Sequence, residues 1–162
     1  IFFAAINAAT ARVYITTPYF VPTEAILQSL KSAAWRGVDV RLLVPGRSDL
    51  RLVQHAGRSF YAELLDAGVR IYEHAPGILH AKTLVIDGVW ATVGSANMDV
   101  RSFRLNYEVN AIVYGRDFAV QQEAVFLSDV AGSAEITAER VHDTPRRTRL
   151  IQGFARMLSP IL

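Results

Sequence analysis

The 162-residue chain has no cysteine. Disulfides, thiolate zinc sites and a cysteine nucleophile are therefore excluded, and packing alone must hold the framework. Long apolar runs are also missing: the N-terminal IFFAAI stops at Asn7, and nothing approaches the roughly 18 uninterrupted apolar residues of a membrane-spanning helix. There is no signal-peptide pattern, internal repeat, low-complexity tract or Pro/Gly/Ser linker. Nor is there a large excess of one charge. A formal net charge of +2 does not by itself demand a polyanionic partner, although anionic substrates or lipids remain compatible with it. What is present is a globular composition, with 51% hydrophobic and 20% charged residues and a length suited to one domain. The chain reads as a soluble or peripheral domain. It does not begin with Met and starts within a helical pattern, so it is expected to be a piece of something longer.

VYITT (13–17) is β-branched and aromatic, and PYFVP ends it, which predicts a strand followed by a rigid loop. Thr23 is placed to cap a helix over EAILQSLKSAAWRG, whose Ala25, Ile26, Leu30 and Ala33 recur at helical spacing before Gly37. A buried strand, VDVRLLVP, follows. A single helix from an N-cap at Ser48 to Gly68 comes next, and then a strand over VRIYEH. This alternation predicts parallel strands with right-handed crossovers. The second half differs, with three extended segments, 80–86, 89–94 and 106–114, joined by short connections. Asp87-Gly88 is a strong hairpin signal, and these strands are expected to lie antiparallel at one side of the sheet. An amphipathic helix starts near Asp117, and a basic, apolar helix runs to Pro160. In that last helix Leu150, Phe154, Met157, Leu158 and Ile161 form an apolar stripe with Arg146, Arg147, Arg149 and Arg156 around it. Packing against the sheet is the commoner use of such a stripe; lying on an anionic membrane is the other.

Side chains alternate faces along a strand, so a strand over 80–86 gives His80 and Lys82 one face and Asp87 the other. The pair is expected to reach one ligand together, while Asp87 caps backbone N–H groups at the turn. The return strand delivers Gly94 and Ser95 beside the pair, and Gly94-Ser95-Ala96-Asn97 forms a sharp loop suited to phosphate oxygens. A strand over 106–114 places Asn106, Glu108 and Asn110 in a polar row, with an imidazole as the plausible partner of Glu108. Ser102 and Asn106 read as structural. Arg101 and Arg104 read as salt-bridged or solvated, and Tyr19 and Phe20 as packing or lining residues. A metal site from His80, Asp87 and Asp99 is set aside, because Asp87 points away and no second histidine stands at ligand spacing.

His80-x-Lys82, four residues, Asp87, six residues, then Gly94-Ser95-x-Asn97 resembles the HKD motif of the phospholipase D superfamily. The longer strings TPYFVP, RGVDVRLLVPG, LLDAGVRIYEHAPGILHAK, VGSANMDVRSFRLNYEVN and the final SPIL resemble the C-terminal half of bacterial cardiolipin synthases. The resemblance covers nearly the whole chain. It implies an α/β fold, a phospholipase D-like single half across 1–162 with a mixed, mostly parallel β-sheet flanked by helices on both faces. It implies phosphodiester transfer through a phosphohistidine without a metal or other cofactor: His80 is one of two histidines, Lys82 and Asn97 with Ser95 hold phosphate oxygens, and Glu108 accepts from His80. The implied reaction forms cardiolipin and glycerol from two phosphatidylglycerol molecules at an anionic membrane surface, the bacterial inner membrane for the full-length protein.

The departure from the family pattern is that only one such motif is present. His55 is followed by Ala-Gly, His74 by Ala-Pro and His142 by Asp-Thr. Either a second half lies in the same chain upstream, or two copies pair as a homodimer. A homodimeric nuclease or phospholipase and an inactive isolated half are the alternatives. The apolar strands around His80 make nucleic acid the less expected partner.

Overall fold

The computed structural model describes residues 1–75 and 77–162. Helix α1 (Phe2–Ala8) leads into β1 (Arg12–Thr16) and a two-residue strand, β2 (Phe20–Val21). Thr23 then caps α2 (Glu24–Trp35), its hydroxyl accepting from the N–H of Ile26 at 3.4 Å. The expected strand follows as β3 (Asp39–Pro45).

The single helix expected after Ser48 is instead two, α3 (Arg51–Arg58) and α4 (Tyr61–Asp66). The Ser59 hydroxyl turns back onto the Ala56 carbonyl, a local bond that competes with the helical ladder at the break. Ser48 is not the N-cap. Its hydroxyl accepts from Leu50 N–H, outside the helix, and Leu50 is the capping residue. Strand β4 (Arg70–His74) completes a parallel core in which β1 pairs with β3 and β3 with β4.

Strands β5 (Thr83–Ile86) and β6 (Trp90–Gly94) form the expected hairpin. Asp87 and Gly88 have φ of 53° and 64°, the positive values that a type I′ turn needs at both central positions. After β7 (Met98–Asp99) and α5 (Val100–Arg104), β8 (Asn110–Tyr114) pairs antiparallel with β6. Helix α6 (Arg116–Ala131) is followed by β9 (Ser133–Ile136), a strand not foreseen in the sequence, which pairs antiparallel with β4. Helices α7 (Ala138–His142) and α8 (Arg146–Met157) and a 3-10 turn over Ser159–Ile161 close the chain.

The seven-stranded sheet runs β8-β6-β5-β1-β3-β4-β9, with β2 and β7 paired separately. Within the seven-stranded sheet parallel pairing is confined to the β1-β3-β4 centre, and β2 pairs parallel with β7. The remaining neighbours in that sheet are antiparallel, with the tight Asp87-Gly88 turn joining β5 to β6. Helices cover both faces: Val13, Ile15, Leu42, Ile71 and Leu84 pack with Ile26, Leu30, Phe60 and Leu64 on one side, and Tyr14, Leu43, Tyr72 and Val85 meet Ala119 and Phe126 of α6 on the other. Among the described residues no helix is long and apolar enough to cross a membrane.

Two strand boundaries are shorter than the sequence pattern implied. Strand β5 begins at Thr83, so His80 and Lys82 lie in the loop before it and strand parity does not govern them; β8 begins at Asn110, so Asn106 and Glu108 are loop residues and not a polar row. In both segments ladder pairing stops where the neighbour turns away, because β6 ends at Gly94 opposite Asn110. The stripe on α8 also departs from the commoner expectation. Ala155 is the buried residue of that helix, whereas Leu150, Phe154 and Met157 face outward.

Candidate active site

Four strand ends converge at one end of the sheet. Thr16, the last residue of β1, is in register with Thr83, the first of β5; Gly94, the last of β6, is in register with Asn110, the first of β8. The chain leaves β1 toward β3 and β4 and later returns on β1's other side, so this end is a topological switch point, where open α/β sheets place ligand crevices. Gly94 N–H donates to the Lys82 carbonyl at 3.2 Å, which brings the two sequence motifs together as the hairpin reading required.

Gly94 is sterically obligatory. A Cβ there would meet the Asn110 Cα at 2.6 Å and also the Val109 carbonyl oxygen, and the resulting close approach lets Ser95 N–H donate to Val109 at 3.0 Å. The returning Val109 N–H donates to the Ser95 hydroxyl at 2.9 Å. Ser95 donates in turn to Glu108.

The Glu108 carboxylate also accepts from the Ser102 hydroxyl and the Asn106 amide, both at 3.1 Å. These bonds, that from Ser95 foremost, hold its pKa below the ordinary glutamate value. The expected bond from His80 to Glu108 is absent among the described residues: the carboxylate is occupied by the loop that folds around it, and His80 sits outside β5. Ser102 and Asn106 do read as structural, but their structural task is to hold Glu108.

Lys82 is half-buried. Its ammonium donates to the His80 carbonyl at 2.8 Å and thereby fixes the loop carrying the histidine. Burial pulls its pKa below the ordinary lysine value, while the nearby carboxylates of Glu108 and Asp99 oppose the shift. His80 itself is exposed, with the Tyr19 ring set edge-on at 6.4 Å between centroids. Tyr19 is anchored through its hydroxyl to both Asp49 carboxylate oxygens at 2.9 and 3.0 Å. The sequence placed Tyr19 near the strand end but gave no sign of its partner.

Asn97 is buried. Its N–H donates to the Ser102 hydroxyl at 3.0 Å, while its Oδ1 has no hydrogen-bond partner among the described residues. A buried polar atom without a partner leaves this amide available to a ligand. Asp99 caps α5, accepting from Ser102 N–H at 2.7 Å, and burial pushes its pKa up against that bond.

Asp87 lies at the far end of the hairpin. Its carboxylate accepts from the N–H groups of Thr10, Ala11 and Arg12 at 2.9, 2.8 and 2.7 Å and from the Thr10 hydroxyl at 3.0 Å. The backbone it caps is therefore the entry to β1 rather than its own turn. Burial alone would raise its pKa; these donors outweigh burial and lower it.

Beside Glu108 opens a groove of about 620 Å³ walled by Phe2, Phe3, Ile26, Phe103 and Ile112. Leu105, Tyr107 and Val109 stand exposed on the adjoining loop. The arrangement thus offers an imidazole, an ammonium, an amide and a hydroxyl at one end of the sheet, next to apolar surface.

Residues 2–130 match the family described as "Cardiolipin synthase, PLD-like domain". A cardiolipin synthase of Geobacillus sp. (strain WCH70) is 46% identical over 162 residues, all of this chain and 32% of the relative, so the chain spans about a third of the length of the curated relatives it matches. Among solved structures, Nuc from Salmonella typhimurium, a phospholipase D family member, superposes with a TM-score of 0.74 at 19% identity, covering 84% of this chain and 88% of that one. Phosphatidylserine synthase from Haemophilus influenzae gives a TM-score of 0.75 at 15% identity, over 99% of this chain and 43% of that one.

Proposed function

The chain belongs to the cardiolipin synthase family of phospholipase D-like domains, and on that premise we propose that it supplies one half of a phosphatidyl-transfer site. The proposed reaction joins two phosphatidylglycerol molecules into cardiolipin and releases glycerol. The observation that carries the reading is the convergence of four strand ends, where Gly94 bonds to Lys82 and the Ser95–Glu108–Ser102–Asn97 network closes beside it.

In this mechanism His80 is one member of a pair of histidines, the other coming from a second half in the same chain or from a second copy. One imidazole nitrogen attacks phosphorus, forming an N–P bond as the bond from phosphorus to the glycerol oxygen breaks. The other histidine gives its proton to that oxygen, then takes the proton of the incoming phosphatidylglycerol hydroxyl as this attacks phosphorus and breaks the N–P bond. Lys82 and the Asn97 amide stabilise the non-bridging oxygens as the phosphorus becomes five-coordinate. Ser95 joins them, positioned by Glu108. Glu108 is a positioning residue that orders the loop and supports the charge of Lys82. The exposed Leu105, Tyr107 and Val109 form surface for the second half, and the apolar groove beside Glu108 suits an acyl chain.

The test is product balance in the full-length enzyme with phosphatidylglycerol vesicles. Transfer predicts one glycerol released per cardiolipin formed and, on adding a second primary alcohol, its phosphatidyl ester at the expense of cardiolipin. Phosphatidic acid as the main product, unaffected by added alcohol, would mean hydrolysis instead.

A further inference from the structure

Helix α8 is inside-out for a surface helix. Its inward face carries buried Ala155 and packs on α3, and Arg156 reaches the start of α4, its guanidinium 4.2 Å from the Phe60 ring centroid and bonded to Glu63 at 2.7 Å. Its outward face carries Leu150, Phe154 and Met157, which are 75%, 62% and 77% exposed. Positions i, i+4 and i+7 fall on one narrow stripe, the pattern by which a helix buries apolar surface, yet here the stripe points away from the protein.

The charges that the helix itself carries are all of one sign. The helix contains no acidic residue, and Arg146, Arg147 and Arg149 are exposed, with no ion pair among the described residues. A protein-facing interface of this composition would need acidic partners, whereas an anionic bilayer supplies both an apolar layer and a negative surface. The helix is also well located. It packs on α3, which begins just after the Asp49 that holds Tyr19 beside His80, and the 3-10 turn after α8 packs on α5, which follows Asn97. It lies beyond residues 2–130, the part matched by the family.

We propose that α8 is a membrane-docking helix: Leu150, Phe154 and Met157 enter the headgroup layer of an anionic bilayer, and Arg146, Arg147 and Arg149 meet lipid phosphates. This deepens the phospholipid reading above and rests on it for the choice of lipid as occupant. Docking in this way seats the rim of the candidate site at the surface that holds its substrate.

These 162 residues contain no cysteine, so a single label can be placed within them for a direct test. In Phe154→Cys carrying a polarity-sensitive fluorophore, phosphatidylglycerol-containing vesicles should shift the emission to the blue, and lipids bearing a doxyl quencher should quench it. Pure phosphatidylcholine vesicles should have little effect. A Val125→Cys label on the exposed side of α6 should respond to neither, and thermal melts verify that both variants are folded. Replacing Arg146, Arg147 and Arg149 by Gln should weaken vesicle binding about fivefold each, roughly 100-fold together, and salt should weaken the parent likewise. A label that stays solvent-like with phosphatidylglycerol vesicles overturns the proposal. So does one that is blue-shifted without vesicles and unaffected by the quencher, which would mean that protein covers the stripe. The readout is binding, so docking without cardiolipin formation would count against the proposed reaction and leave the docking helix standing.

Discussion

Replacing Asp87 separates a staple from a catalyst. The motif that carries Asp87 also carries His80 and Lys82, but its carboxylate spends its acceptor capacity on Thr10, Ala11 and Arg12 at the entry to β1. The Arg12 bond is partly buried and the other three are exposed; with about 1.5 kcal/mol for the first and roughly 0.5 for each of the others, the set contributes about 3 kcal/mol. Asp87→Ala loses all of it and adds roughly 1 kcal/mol, because alanine must hold the φ of 53°. For a chain of this length about 4 kcal/mol lowers Tm by roughly 8–16 °C. Asp87→Asn tolerates the turn and keeps one acceptor, so about 1.5 kcal/mol is expected, half or less of the alanine effect. The folded pKa is depressed, so this stability is present above the unfolded value of about 3.9 and is lost as pH falls through the lower folded value. Thermal melts followed by circular dichroism should therefore show parent and Asp87→Asn far apart at pH 7 and converging in strong acid. In the full-length enzyme Asp87→Asn, assayed well below its Tm, should retain kcat within a few-fold. An unchanged Tm together with a hundredfold loss of kcat would refute the assignment and put Asp87 in the chemistry.

Gly94→Ala should cost about 3 kcal/mol or more, since the new Cβ meets backbone atoms that cannot give way, and a melt of the variant checks it. Glu108→Gln should lower kcat roughly 10- to 100-fold with a smaller change in KM, because Ser95 and Lys82 lose the anion that orders them. A parent-like kcat would remove Glu108 from the positioning role. Tyr19→Phe, which keeps the ring beside His80 and loses the anchor to Asp49, should reduce kcat a few-fold, and Tyr19→Ala substantially more; equal rates in steady-state assays would show that the ring has no part in placing the histidine.

Periodicity made the centre of the sheet legible. β1, β3 and β4 are buried runs bounded by Pro or Gly, and α2 announces itself through Thr23 and its apolar spacing. The Asp-Gly turn was equally plain, because few dipeptides accept positive φ at both positions. Strand ends were not legible. Extended residues such as His80, Lys82 and Glu108 look like strand whether or not a neighbour is present to pair with them, and pairing is a tertiary fact. For the same reason β9, four residues of weak pattern, emerges only beside β4. The helix break at Ser59 depends on a side chain choosing a local carbonyl, which periodicity does not report. At the site, the motif named His80, Lys82, Ser95 and Asn97, the polar row named Glu108, and the strand ends bring their segments together. What was missed is the bonding within the cluster, with Ser102 linking Asn97 to Glu108 and Asp49 holding Tyr19. On α8 the spacing gave the stripe, but only the burial of Ala155 and the packing of the helix on α3 reveal that it faces outward.

The most direct measurement of the central claim is the rate of cardiolipin formation from phosphatidylglycerol by full-length His80→Ala, alongside its thermal melt. His80 is exposed and its ring makes no hydrogen bond among the described residues, so the variant should melt with the parent while turnover falls by about 10⁴-fold or more. A folded His80→Ala enzyme that retains cardiolipin formation within tenfold of the parent would contradict the account.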